Sequence, residues 1–189
     1  MVRLFVGLSL PEEISRELSE LKVKLSHARW LDSSVYHITL LFLGECDESE
    51  IELISDQLSL IEWVSFDCKV RGVGFFKQGR TARSLWAKVE GLEKDQSFTI
   101  FDLHQDIKEH LSPLEIVEES NLKGKRFIPH ITLARLRPRS IELINPFMQS
   151  FSGYESLRFN VLNFHLYHSK LSADGAKYTK IKSFNALDS

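Results

Sequence analysis

The chain has 189 residues, of which 43% are hydrophobic and 26% charged, with a formal net charge of -2. This balance is typical of a globular protein and excludes collagen-like and low-complexity chains. The net charge also excludes a protein that binds nucleic acid through a strong positive field over its whole surface. No apolar run reaches the roughly 18 residues that cross a bilayer, so we expect no membrane span and a cytoplasmic location.

The first half of the chain predicts alternating strands and helices. The elements are a strand over Val2–Leu8, a helix that starts within Ser9–Glu13 with Ser9 as its cap and continues to Leu21 and Leu25, a short extended piece at Trp30–Leu31, a strand over Tyr36–Leu43 that ends at Gly44, a helix over Asp47–Leu60, and a strand over Phe66–Phe76 with bulges at Gly72 and Gly74. A basic turn over Lys77–Arg83 follows.

The second half predicts the same order again. Its elements are a strand over Ser84–Glu90, a helix over Lys94–Leu111, a basic loop over Asn121–Phe127, a strand over Ile128–Leu136, a short helix over Ile141–Phe151 interrupted near Pro146, a strand over Leu157–His168, a turn over Leu171–Lys177 and a last strand over Tyr178–Phe184. The chain is therefore predicted to be one bilobal domain over residues 1–189, with pseudo-repeat halves of about 1–80 and 81–189.

One tetrapeptide marks the repeat. His37-Ile38-Thr39-Leu40 recurs 93 residues later as His130-Ile131-Thr132-Leu133. Because side chains alternate along a strand, each histidine shares a face with its threonine, and Ile38, Leu40 and Phe42 share the other. A pseudo-twofold axis would bring the two polar faces together across a cleft.

Two imidazoles and two hydroxyls around one point suit phosphoester chemistry. Histidine changes protonation near neutral pH, so one ring can act as base while the other acts as acid. Threonine hydroxyls can donate to the non-bridging phosphate oxygens. A single His-x-Thr in a strand is usually structural, but duplicated packing would preserve the apolar residues, whereas here the polar face is repeated.

The sequence resembles the 2H phosphoesterase superfamily, and within it the bacterial and archaeal RNA 2′,3′-cyclic phosphodiesterases, also called LigT-like or 2′-5′ RNA ligase-like proteins. The matching segments span nearly the whole chain in order: Arg3–Leu8, Trp30, His37–Gly44, Ser84–Trp86, Phe127–Arg135, Leu166–Leu171 and Gly175–Tyr178. The two extended histidine motifs are the specific ones, and the other segments only support them.

The resemblance implies an α+β fold, bilobal and duplicated, in which two antiparallel sheets line a central cleft with helices outside. It implies metal-independent hydrolysis of RNA 2′,3′-cyclic phosphate ends to 2′-phosphomonoesters, without a cofactor, and the reverse 2′-5′ ligation. His37 would then be the general acid and His130 the general base, with Thr39 and Thr132 holding the phosphate. The symmetric motif itself does not distinguish the two histidines.

Further candidates flank the motifs. Arg126 and Arg135 belong to a run of six basic residues without an acid, and could contact substrate phosphates. In a regular strand Arg135 would face away from Thr132, so a phosphate contact would need a bulge. Four aromatic residues could form a base-stacking wall: Phe5, Trp30, Phe42 and Tyr167. His27, His104 and His110 are interpreted as helix-surface residues, and no cluster with metal-ligand spacing is evident.

Several alternatives remain open from sequence. The same chemistry could act on an ADP-ribose 1″,2″-cyclic phosphate, a 2′-5′ oligoadenylate or a 3′ RNA tail. A non-catalytic nucleotide-binding module is a second class, although binding alone does not require two matched acid–base groups. A protein-interaction domain using the acidic stretch Glu45–Glu52 is a third. We expect RNA ends or small cyclic-phosphate nucleotides as partners, no protein partner and a monomer.

Overall fold

A computed structural model describes residues 1–92, 98–114, 116, 126–172 and 175–187. Within these residues the chain forms an α+β structure around one antiparallel sheet. None of the helices in these ranges is long and apolar enough to pass through a membrane.

The sheet contains nine strands. They are β1 (Val2–Ser9), β2 (Ala28–Trp30), β3 (His37–Cys46), β4 (Phe66–Gln78), β5 (Thr81–Gly91), β6 (His130–Ser140), β7 (Phe159–Val161), β8 (Asn163–Ser172) and β9 (Gly175–Asn185). Their spatial order is β7-β4-β5-β6-β3-β1-β8-β9, with β2 paired to β6. The two strands that begin with the motif histidines therefore occupy the centre.

Among the described residues, four α-helices cover the sheet: α1 (Glu12–Ser19), α2 (Glu50–Ser59), α3 (Ile100–Leu111) and α4 (Asn145–Phe151). Each helix contributes fully buried apolar side chains, such as Leu18 of α1 and Leu103 of α3, to one hydrophobic core with the strands. In β3 the core receives Ile38 and Leu40, while His37 and Thr39 stay partly exposed on the other face. The alternation that the sequence predicts at the motif is confirmed.

The two expected sheets are joined into one. The only Cα pair in the β3–β6 ladder is Ile38 with Ile131, the second residue of each motif. Beyond this pair the two central strands diverge, and β2 pairs with β6 through Trp30 and Ala134. The two sides of the sheet, β7-β4-β5-β6 and β3-β1-β8-β9, thus form one curled sheet with its concave face between them.

Several element boundaries differ from the sequence-based prediction for local reasons. Ser9 ends β1 and does not cap α1, whose N-cap is Pro11, because the Ser9 hydroxyl bonds to His165 of β8. Gly44 does not end β3; it lies inside the strand in a left-handed conformation with φ +93°. The interruption predicted near Pro146 is confirmed: a 3-10 turn over Ile141–Ile144 precedes α4, and Pro146 occupies the first turn of α4, where proline needs no hydrogen-bond partner.

Other boundaries shift with hairpins and caps. The turn predicted over Lys77–Arg83 is a two-residue connection between β4 and β5, because both strands extend toward Gly79. The predicted bulge at Gly72 is confirmed, but Gly74 pairs regularly with Trp86. Helix α3 begins at Ile100 because Thr99 and Asp102 form a capping box. The predicted helix start at Lys94 and most of the basic loop over Asn121–Phe127 lie outside the described residues.

Candidate active site

A cleft of about 750 Å³ on the concave face of the sheet contains both motifs. His37 and Thr39 enter it from β3, and His130 and Thr132 enter it from β6. Strands β1, β4, β5, β8 and β9 supply further walls. The structure thus brings together the four residues that the sequence analysis singled out, although 93 positions separate the two motifs.

Both motif histidines are held in the same orientation. Nδ1 of His37 lies 2.8 Å from the carbonyl oxygen of Val35, and Nδ1 of His130 lies 2.7 Å from that of Ile128. A carbonyl oxygen can only accept, so each Nδ1 carries the proton of its hydrogen bond. In the neutral ring this leaves Nε2 of each histidine unprotonated and able to take a proton in the cleft, and the protonated ring can give that proton from the same atom.

The surroundings favour the neutral form of both rings. Burial lowers the pKa of His37, and the nearby positive charges of His130 and Arg135 lower it further. Burial and the charge of Arg135 also lower the pKa of His130. An anionic ligand would act in the opposite direction and favour protonation of a ring that faces it.

A matching irregularity lies at the last residue of each motif. The ladder between β1 and β3 pairs Val6 with Leu41 and Gly7 with Thr39, so Leu40 is an additional residue. The ladder between β5 and β6 skips Leu133 at the equivalent position. Each bulge shifts the following alternation by one residue.

These bulges return the fifth residue after each histidine position to the cleft. Phe42 and Arg135, themselves 93 positions apart, both line it. The prediction that Phe42 shares the buried face of Ile38 and Leu40 is wrong, since Phe42 is 52% exposed. Arg135 can share a face with Thr132 only if β6 has a bulge between them, and that bulge is present at Leu133.

The cleft is positively charged. Three arginines, Arg3, Arg29 and Arg135, and one aspartate, Asp32, line it, which gives a net charge of +2 with neutral histidines. Arg29 and Arg135 are direct cross-strand partners in the β2–β6 ladder. Like charges in opposed positions destabilise a sheet. An anion bound between them would remove this repulsion, so the pair favours a phosphate-bearing ligand.

Aromatic rings support each histidine. The ring centroid of His37 lies 4.9 Å from that of Phe5 and 4.6 Å from that of Tyr178. The ring of His130 lies 4.8 Å from Phe76 and 5.9 Å from Trp86. These contacts restrict the tilt of both imidazoles and exclude water from one side of each ring.

The remaining predicted residues divide between three places. Phe5 and Trp30 line the cleft, as expected for a stacking wall. Tyr167 stacks on Phe5 at a centroid distance of 4.8 Å but lines a neighbouring pocket. Arg126 is exposed and does not line the cleft.

Several cleft residues were not predicted as site residues from the sequence, among them Arg3, Arg29, Phe76 and Tyr178. Arg3 was accessible in principle, because it alternates with Phe5 on a strand whose other face is apolar. The other three need the pairing of strands that are distant in sequence, and no local pattern gives that.

The interpretation of His104 as a helix-surface residue is wrong. Its ring stacks on Phe127 at a centroid distance of 4.0 Å, and its Nδ1 donates to the carbonyl oxygen of Leu40, 2.9 Å away. Leu40 is the bulge residue at the end of the first motif, and Phe127 lies three residues before the second motif histidine. His104 therefore joins α3 to the first motif strand and to the segment that leads into the second.

Comparisons with known proteins identify the family of this chain. The family model described as LigT like phosphoesterase matches residues 8–86. An RNA 2′,3′-cyclic phosphodiesterase of Thermus thermophilus is 31% identical over 192 residues, covering 97% of this chain and 90% of the relative. A protein of the same name from Thermotoga maritima is 30% identical over 142 residues, covering 72% of this chain and 71% of the relative.

Solved structures show the same fold. The crystal structure of TT0787 of Thermus thermophilus superposes with a TM-score of 0.75 at 28% identity, covering 97% of each chain. Apo LigT of Escherichia coli superposes with a TM-score of 0.71 at 20% identity, covering 99% of this chain and 98% of the other. The fold and the paired motifs define a phosphoesterase of the 2H class. The chain belongs to the LigT-like phosphoesterase family.

Proposed function

We propose that this enzyme hydrolyses the 2′,3′-cyclic phosphate at RNA ends to a 2′-phosphomonoester, with His37 as general acid and His130 as general base. The observation that carries the proposal is the orientation of the two rings. Both Nδ1 atoms are committed to backbone carbonyls, so two equivalent Nε2 atoms serve one positively charged cleft.

The reaction needs one proton removed and one supplied. Nε2 of neutral His130 takes a proton from water, whose oxygen attacks phosphorus. The P–O3′ bond breaks, and O3′ takes a proton from Nε2 of protonated His37. The products are a 2′-phosphomonoester and a 3′-hydroxyl, and proton exchange with solvent restores both rings.

The substrate itself assists the protonation of His37. Burial and neighbouring charges lower the pKa of this ring. A cyclic phosphate carries a negative charge, which favours the imidazolium when it binds against the ring. Thr39, Thr132 and Arg135 would donate to the non-bridging oxygens and stabilise the charge that develops there.

The relatives' names support this substrate class. Curated relatives that align with 97% of this chain, from Aquifex aeolicus and Methanocaldococcus jannaschii among others, are named RNA 2′,3′-cyclic phosphodiesterase. The same site could use the 5′-hydroxyl of a second RNA in place of water. Attack on the cyclic phosphate with cleavage of P–O3′ would then give a 2′-5′ linkage, with both histidines in the same roles.

The first test is turnover of a short RNA with a 2′,3′-cyclic phosphate end, in the presence of EDTA. Wild type should be active, and His37→Ala and His130→Ala should each lose at least about 10²-fold in kcat, the usual contribution of general acid–base catalysis. His110→Ala is the control, since its ring bonds within α3 to the carbonyl of Asp106. Normal kcat in either motif variant, or loss of activity with EDTA, would overturn this mechanism.

A second test separates the acid from the base. Replacing O3′ by sulfur gives a thiolate leaving group, which needs little protonation because thiols have a pKa of about 8.5. His37→Ala should recover most of its activity on this substrate, whereas His130→Ala should stay impaired. The opposite pattern would exchange the two roles. If the enzyme turned over only ADP-ribose 1″,2″-cyclic phosphate, a 2′-5′ oligoadenylate or a 3′ RNA tail, that compound would replace the cyclic-phosphate RNA end as the assigned substrate.

A further inference from the structure

A second pocket of about 500 Å³ lies on the far side of His37. It shares Val35, His37 and Tyr178 with the main cleft, but none of its lining residues comes from the second motif. The pocket therefore borders only the histidine to which we assign the acid role. Its volume is within the range of small-ligand sites.

The lining is rich in hydroxyl groups and carries a lysine. Five serines line the pocket: Ser9, Ser15, Ser19, Ser33 and Ser34. Lys180 lines it as well and donates to the Ser9 hydroxyl over 3.3 Å. Within the part of the chain that the structure describes, Lys180 forms no ion pair with a carboxylate. The one acid of the lining, Glu12, is paired with Arg16 at 3.1 Å.

Ser9 is fixed by a buried polar chain. Its hydroxyl lies 3.0 Å from Nε2 of His165, and Nδ1 of the same ring lies 2.8 Å from the hydroxyl of Ser183. His165 is only 3% exposed. Ser9 is also the Cα partner of His37 in the β1–β3 ladder. A donor pair of Lys180 and Ser9 is thus held at a defined position beside the acid.

The direction of the reaction predicts what would occupy this pocket. Water and O3′ lie on opposite sides of phosphorus in the displacement, so the ribose lies on the His37 side. The ribose continues through its C4′ and C5′ atoms to the 5′-oxygen. A phosphate on that oxygen would extend past His37 and away from His130.

We infer that the pocket lined by Ser9 and Lys180 binds the 5′-phosphate of the nucleotide whose cyclic phosphate is cleaved. This inference rests on the proposed function, because that function places the ribose beside His37. The 5′-phosphate can be a terminal monoester or the diester that links the nucleotide to the rest of an RNA. In both cases an anion accepts hydrogen bonds from an ammonium and a hydroxyl, which are the strong charge-assisted kind.

The test compares three adenosine 2′,3′-cyclic phosphates, with a 5′-hydroxyl, a 5′-phosphate or a 5′-linked second adenosine. Wild type should show kcat/KM about 10- to 100-fold higher with a 5′-phosphate group than without, as expected for a charged hydrogen bond. Lys180→Met should reduce this ratio to nearly one. Lys182→Met, on the same strand with its amine over the ring of Phe184, should keep the wild-type ratio. A higher kcat/KM with the 5′-phosphate monoester alone would identify a terminal phosphate as the ligand of this pocket. A higher kcat/KM with both substrates would show that the pocket also binds the linking diester.

Binding provides an arm that does not depend on turnover. Adenosine 2′,5′-bisphosphate should bind at least about 10-fold tighter than adenosine 2′-monophosphate by calorimetry, and Lys180→Met should abolish the difference. Equal affinities together with a kcat/KM ratio near one in wild type would overturn the subsite while leaving the proposed function intact. A difference in affinity without turnover of any cyclic substrate would keep the subsite and refute the proposed reaction.

Discussion

Arg135 provides the most informative single substitution in the cleft. The bulge at the end of the second motif turns its side chain to the face of His130, where its charge lowers the pKa of both motif histidines. Arg135→Met keeps the length of the aliphatic stem and removes the guanidinium. Two properties should change together, namely phosphate binding and the pH dependence of the reaction.

The size of the first change follows from the type of interaction. A hydrogen bond to a charged group contributes about 1.5–3 kcal/mol, so kcat/KM should fall about 10- to 150-fold. The second change has a defined sign. Because Arg135 disfavours the imidazolium of both rings, its removal raises both pKa values, and both limbs of the bell-shaped profile of kcat/KM should move to higher pH.

The assay is the pH dependence of kcat/KM on a cyclic-phosphate RNA, measured for wild type and for two variants. Arg137→Met is the matched control, since Arg137 lies two residues further along β6, is exposed and does not line the cleft. It should change kcat/KM by less than about 2-fold, as expected for a distant surface cation. An Arg135→Met profile that coincides with that of Arg137→Met would refute the assignment of Arg135 to the phosphate site.

Three further predictions concern the groups that hold the cleft in shape. A Cβ at Gly74 would lie 2.2 Å from the ring of Trp86, which is a neighbour of His130. Gly74→Ala should therefore lower the free energy of unfolding in urea by about 1–3 kcal/mol and should also lower kcat. Gly153→Ala, with open space at its Cβ, should change neither. His104→Phe keeps the stack on Phe127 but removes the hydrogen-bond donor to the Leu40 carbonyl. The variant should be about 1–3 kcal/mol less stable and should have a reduced kcat. Effects no larger than those of His110→Phe would contradict the role of this hydrogen bond. Burial and the charge of Lys180 lower the pKa of His165 to about 4. As the pH falls below 6.5, His165 is therefore protonated in the unfolded chain before it is protonated in the folded protein, and the free energy of unfolding should drop by up to about 3 kcal/mol between pH 6.5 and 4. The variant His165→Gln should lose that part of the pH dependence.

The paired motifs could be read from the sequence because their information is local. The alternation of polar and apolar residues places His37 and Thr39 on one face, and the repeat after 93 residues indicates a second copy of that face. The class of chemistry followed from the residue types. The orientation of the rings, with Nε2 directed into the cleft, could not be inferred in this way, since it depends on the carbonyls of Val35 and Ile128.

The positions after the motifs could not be predicted in the same way. Leu40 and Leu41 are both apolar, so nothing in the residue types shows where an extra residue enters the strand. The face of Phe42 depends on that bulge, and the carbonyl of Leu40 is bonded by His104 from another element. Ser9 resembles a helix cap locally, but a histidine 156 residues away bonds its hydroxyl.

The most direct measurement of the central claim is hydrolysis of a 2′,3′-cyclic phosphate RNA in ¹⁸O-labelled water with EDTA present. Phosphorus NMR and mass spectrometry then locate the phosphate and count the label. The paired-histidine mechanism predicts a 2′-phosphomonoester with one ¹⁸O on phosphorus and an unlabelled 3′-hydroxyl, formed by wild type and about 10²-fold more slowly by His130→Ala. A 3′-phosphate product, label on the ribose hydroxyl, or equal rates for the two proteins would contradict it.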